Sequence, residues 1–95
     1  MRIVWRSRAL AQLEAIHAYI ARDNPQAAAN VVAAIRATVA MLAEFPRSGQ
    51  ATNRPGYYTK LVPRYPYRVF YRIGADEVRI VRVRDVRRRP LSEQR

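Results

Sequence analysis

Between Tyr65 and Pro90 the chain reads YPYRVFYRIGADEVRIVRVRDVRRRP, with arginine repeatedly interrupting tyrosine, phenylalanine and β-branched residues. Guanidinium groups grip phosphate or carboxylate oxygens through paired N–H donors, and a tyrosine beside them can stack a base or pass a proton. The pattern therefore fits a nuclease site, a nucleic-acid-binding face, or the solvated side of a sheet. Other chemistry is scarce. The chain has no cysteine, which excludes disulfides, thiolate metal sites and a cysteine nucleophile, and its single histidine, His17, excludes a histidine metal cluster. His17 falls in a helical segment one position from an apolar stripe, a structural rather than a catalytic setting. Asp85 stands among Arg84, Arg87 and Arg88 and reads as an ion-pair partner rather than a base. Tyr57, Tyr58, Tyr65, Tyr67 and Tyr71 remain as possible acids, although tyrosines in strands commonly pack against neighbours.

The elements that must position these groups follow from periodicity. Arg2 to Trp5 (RIVW) is a short β-favouring run. Ser7 is placed to cap a helix running to about Arg22, with Leu10, Leu13, Ile16 and Ile20 on one face. Asn24 followed by Pro25 is an N-cap and first-turn pair, opening a second helix whose stripe is Ala28, Val32, Ile35, Val39 and Leu42, until Pro46 stops it. The two form an antiparallel helical hairpin. PRSGQATNRPG reads as a loop, and Tyr57 to Val62, Tyr67 to Ile73 and Glu77 to Arg84 as strands, the last two a hairpin across GAD. Pairing Ile73 with Val78 sets Tyr71 against Ile80 and Val69 against Arg82 on the core side, and Arg72 against Arg79, Phe70 against Val81 and Arg68 against Val83 on the other. That register leaves Arg82 at the core's edge, and one bulge would swap its side.

At 95 residues and 49% hydrophobic composition, one domain with its own core is expected, with a basic tail at about 86–95. Net charge is +11, unevenly spread: residues 1–46 carry +2 and residues 47–95 carry +9. Such a field draws phosphate backbones or an acidic protein, although seventeen arginines beside one lysine also fit a GC-rich coding sequence. The apolar runs are too short for a signal or membrane helix, so a cytoplasmic protein without membrane contact is expected, needing neither metal nor cofactor.

Five motifs in order, AxxxLxxIxxYI (Ala9 to Ile20), NPxxA (Asn24 to Ala28), FPRSG (Phe45 to Gly49), YRVFYRI (Tyr67 to Ile73) and VRIVRVRDVRRRP (Val78 to Pro90), closely resemble the RelE/ParE superfamily of bacterial toxin–antitoxin toxins, nearer its ParE branch. The resemblance implies an α+β fold: an N-terminal strand and an antiparallel helical hairpin packed on one face of a small antiparallel sheet. It also implies a cognate antitoxin with an acidic toxin-binding segment, in a hetero-oligomer.

Toxins of the RelE branch cleave messenger RNA on the ribosome, which requires activating a 2′-hydroxyl, stabilising a charged phosphorane and protonating the leaving oxygen. The resemblance puts Lys60, Arg68 and Arg87 where that branch often carries basic catalytic groups. Asp85 occupies a place where histidine is frequent, and no aromatic follows it. ParE-like toxins instead poison DNA gyrase by binding, which asks for shape and a basic surface. The reading is therefore a ParE-like gyrase inhibitor, with Arg68, Arg72, Arg79, Arg87, Arg88 and Arg89 as target- or antitoxin-binding residues. A ribosome-dependent endonuclease and a degenerate, non-toxic antitoxin-binding module are the alternatives.

Overall fold

The computed structural model of the chain describes residues 1–87. Strand β1 (Arg2–Trp5) leads into helices α1 (Ser7–Ala21) and α2 (Pro25–Met41), a 3-10 turn (Pro46–Ser48), and strands β2 (Gln50–Ala51), β3 (Tyr57–Leu61), β4 (Tyr67–Ile73) and β5 (Glu77–Asp85). The strands form one sheet in the order β1-β5-β4-β3-β2 with the helical hairpin packed on one face. This is the expected α+β arrangement, with one refinement. The sheet is mixed, because β1 lies parallel to β5 while every other pair is antiparallel.

The hairpin follows its local signals, with one exception. The Asn24 side chain accepts a hydrogen bond from the Ala27 N–H at 3.0 Å, and Pro25 occupies the first turn, where its missing N–H costs nothing. Ser7, however, is the first helical residue of α1 rather than its cap; Arg6 holds the cap position without a side-chain bond. The buried stripe of α1 is correspondingly rotated. Ala9 and Leu13 are buried with Ile16 and Ile20 packed against them, while Leu10 is exposed. On α2, Val31 is buried beside Ala28, Ile35, Val39 and Leu42, and Val32 lies at the margin.

Register decides which side chains face the helices. Tyr71 pairs with Ile80, as the alternation predicts, but the next pair is Phe70 with Arg82, so Val81 is an extra residue on β5. Beyond this bulge Val83, not Arg82, lies opposite Val69, and Arg84 rather than Val83 lies opposite Arg68. The expected Val69–Arg82, Phe70–Val81 and Arg68–Val83 pairs are thereby corrected. The physical reason is burial: a guanidinium beside Val69 would pay several kcal/mol of desolvation, whereas Val83 completes the core there, only 3% exposed.

The FPRSG stretch is tied to this core through Tyr71, which is fully buried. Its hydroxyl donates to the Pro46 carbonyl at 2.6 Å and accepts from the Gly49 N–H at 3.1 Å. A Cβ at position 49 would lie 2.3 Å from the Thr59 carbonyl oxygen and 2.5 Å from the Tyr71 hydroxyl, so only glycine fits. The glycine of the motif is a packing requirement.

Candidate functional site

The face of the sheet away from the helices is built by alternation along β3 and β4 and by an alternation on β5 that the bulge at Val81 shifts by one residue. Thr59, Phe70 and Arg82 share one row across β3, β4 and β5; Leu61, Arg68 and Arg84 make the next row, and Tyr57, Arg72 and Arg79 the row on the other side. Arg2 and Val4 of β1 extend it beside Glu77 and Arg79. The sequence-predicted Arg68, Arg72 and Arg79 are therefore on one face, and the bulge and the parallel β1 add Arg82, Arg84 and Arg2.

Two cross-strand positions oppose like charges, Arg68 to Arg84 and Arg72 to Arg79. Opposed like charges in a sheet cost stability rather than supply it. Among the described residues, Glu77 is the carboxylate that the strands place on this face; it takes a bond from Arg2 at 2.8 Å and a second from Arg79. Those two donors hold its carboxyl below the usual range, Arg2 contributing more. Arg68 donates to the Thr59 hydroxyl at 2.9 Å. Aromatic rings lie under three further guanidiniums: Arg82 is 4.7 Å from the Phe70 ring centre, and Arg54 and Arg72 lie 4.3 and 5.8 Å from that of Tyr57. Burial first, then Arg84 and Arg8, draw the Arg82 guanidinium below its ordinary value.

The other expected groups lie elsewhere. Lys60 pairs with Val69 and so faces the helix side, opposite to Arg68, with its ammonium 3.3 Å from the Ser48 carbonyl. Arg87 is bound to Asp85 by a fork, Nε to Oδ1 at 3.2 Å and Nη2 to Oδ2 at 3.0 Å, and its backbone N–H also reaches Oδ1 at 2.9 Å. Asp85 is thus the ion-pair partner expected of it, and its hydrogen bonds raise the Arg87 guanidinium further. Lys60 and Arg68 do not meet on one face. Arg88 and Arg89 lie outside the described residues.

Tyr57 is the strand tyrosine that shares the arginine face, in the row of Arg72 and Arg79 and two rows from Arg68. His17 is exposed on α1. The Tyr71 hydroxyl is committed to Pro46 and Gly49, and burial pushes it above its ordinary value, the Gly49 N–H partly offsetting this. Tyr58 stacks on Tyr71 with ring centres 5.6 Å apart, on the helix side.

A second region was not legible in the sequence. β1 pairs with β5 only through Ile80, so the edge of β5 from Val81 to Asp85 faces α1 instead of a strand. Gln12 on α1 closes part of it, accepting the Val83 N–H at 2.8 Å. Between them runs a groove of about 1150 Å³ with Ile16, Ile20, Val31 and Tyr67 along it and Arg8, Arg82, Arg84 and Arg87 around it. Among the described residues there is no group of acidic, histidine or cysteine side chains suited to a metal, and no helix long and apolar enough to cross a membrane.

A helical hairpin packed on one face of a five-stranded mixed sheet is a fold that a solved bacterial toxin shares. Residues 3–90 match the family of the ParE toxin of the type II toxin-antitoxin system parDE, and the chain belongs to that family. It is 44% identical over 75 residues to a putative toxin, Y4kP, of Sinorhizobium fredii, covering 79% of this chain and 78% of that one. It is 35% identical over 86 residues to Toxin RelE2 of Caulobacter vibrioides, covering 90% and 96%. Among solved structures, a chain of the chromosomal ParDE system of P. aeruginosa superposes with a TM-score of 0.79 at 28% identity, over 90% of this chain and 96% of that one. The isolated E. coli RelE toxin superposes at 0.68 with 16% identity, over 98% and 92%, a likeness of fold. The protein is a toxin of a type II toxin–antitoxin system, and a cognate antitoxin is its implied partner.

Proposed function

We propose that this toxin inhibits DNA gyrase by binding, as a ParE-type poison in the cytoplasm, and is neutralised by an antitoxin with an acidic segment. The observation that carries the reading is the separation of Lys60 from Arg68 on opposite faces, with the tyrosine of the arginine face, Tyr57, two rows from Arg68. Cleavage of RNA needs all three functions within reach of one phosphate, whereas a binding inhibitor needs a shaped, charged surface. The groove between α1 and β5 suits the antitoxin segment. Its apolar lining accepts side chains that an amphipathic segment would bury, and its arginine rim complements acidic residues and speeds their encounter.

A ribosome-dependent endonuclease is the second reading, favoured by the 35% identity to Toxin RelE2. Induction in cells without antitoxin separates the two. Gyrase poisoning predicts DNA damage before translation falls; codon-phased cuts in intact-genome cells, abolished by Arg68→Ala or Arg87→Ala, would replace it with the nuclease. Harmless expression with retained antitoxin binding would identify a degenerate, non-toxic module.

A further inference from the structure

We propose that Arg64, at the tip of the turn between β3 and β4, is a contact between this toxin and a carboxylate of its protein target. The inference rests on the reading that the toxin acts by binding a protein.

The backbone is the starting point. Among the described residues, Arg64 is the one non-glycine residue with positive φ, at 74°. The Tyr65 N–H reaches the Val62 carbonyl at 3.4 Å around Pro63 and Arg64, so Arg64 fills the third place of a tight turn that asks for glycine or asparagine. A Cβ in this left-handed conformation crowds the following carbonyl, which makes arginine an unfavourable residue there. Nothing local offsets the strain. Arg64 is exposed and, among the described residues, takes part in no ion pair or ring contact. Strain kept without a contact to hold it points to function rather than to folding.

The turn is also rigid. Pro63 fixes φ before Arg64 and Pro66 fixes it two residues after, while Val62 and Tyr67 anchor both legs in the core, the Val62 N–H on the Tyr67 carbonyl at 2.9 Å. An exposed guanidinium on a held backbone binds with less ordering cost than one on a mobile loop. Other arginines are already engaged, Arg2 and Arg79 by Glu77 and Arg87 by Asp85, whereas the fork of Arg64 is open to a carboxylate. Its neighbours select the kind of partner. Leu61 at the end of β3 is 50% exposed, and Pro63 is exposed as well. An arginine flanked by apolar groups suits a protein contact that excludes water, whereas a phosphate backbone asks for a run of cations.

The test compares the whole toxin with its Arg64→Gly, Arg64→Asn and Arg64→Lys variants in gyrase supercoiling, antitoxin binding and urea unfolding. Arg64→Gly should raise the folding equilibrium constant about threefold, the relief of strain being partly offset by the freedom of glycine in the unfolded chain. Arg64→Gly and Arg64→Asn should nevertheless need roughly tenfold more protein for half inhibition, the loss that removing an arginine anchor brings. Arg64→Lys keeps the charge and should retain more inhibition than either. Antitoxin affinity should change less than about twofold in all three. Four results would overturn the proposal: full inhibition by Arg64→Gly; a parallel loss of antitoxin affinity, which would assign the turn to the antitoxin; an equal loss of affinity for plasmid DNA without gyrase, which would assign it to phosphate; or a less stable Arg64→Gly, which would make the arginine structural. A parent toxin without effect on gyrase would defeat the gyrase reading instead. Growth arrest on induction then reads the same variants, and undiminished arrest by Arg64→Gly would overturn the proposal there.

Discussion

The groove beside α1 and the open face of the sheet are both rimmed by arginine, yet they suit different partners because their floors differ. In the groove, Ile16, Ile20 and Val31 offer apolar area, so charge steers a partner whose affinity comes from burial. On the open face the floor is Thr59, Phe70 and the stems of the arginines themselves, and charge is both the steering and the binding term. Arg82 and Arg84 border both regions, which gives an occupant of one a direct electrostatic influence on the other. Net charge alone could not have made this distinction.

The contrast also separates stability from binding. The largest effect belongs to the helix side of the sheet. Gly49→Ala forces a Cβ into backbone and should cost roughly 3 kcal/mol, while Tyr71→Phe strands the Pro46 carbonyl and the Gly49 N–H and should cost about 2 kcal/mol. Urea unfolding measures both.

Next is the groove rim. Arg8→Glu should weaken antitoxin binding about tenfold, more at low salt than at high, while leaving toxicity in place. A loss of toxicity instead would mean that the groove is shared with the target.

On the open face, Arg68→Thr should stay within about 0.5 kcal/mol of the parent in stability, because the lost bond to Thr59 is offset by relief of the opposed Arg84. Growth arrest on induction should nevertheless be reduced. A large destabilisation would show the arginine pairs to be structural.

The smallest effect concerns acid. Glu77 is held below the ordinary carboxylate range by Arg2 and Arg79, so its contribution is present above about pH 4.3 and is lost as pH falls through its lowered value. Glu77→Gln should flatten the acid limb of a melting-temperature profile and leave the alkaline limb alone.

Much of this was legible in the sequence because it is local. Asn24 and Pro25 carry their cap in two letters, and the alternation of β4 separates Arg68 and Arg72 from Val69 and Tyr71 without any tertiary information. The remainder depends on partners distant in the chain. A period of two cannot reveal the extra Val81, which shifts Arg82 from the core edge to the open face. β1 finds β5 across more than seventy residues, and the groove exists only because that pairing stops at Ile80. The motif glycine at 49 gives no sign in the sequence of the carbonyl it must avoid. Lys60 and Arg68 looked like members of one set until the β3–β4 register put them on opposite faces.

The central claim, that this toxin binds gyrase rather than cleaves RNA, is most directly tested by adding the purified protein to gyrase and relaxed plasmid DNA. The account predicts loss of supercoiling or accumulation of cleaved DNA, reversed by the antitoxin. Normal supercoiling at saturating toxin would contradict it.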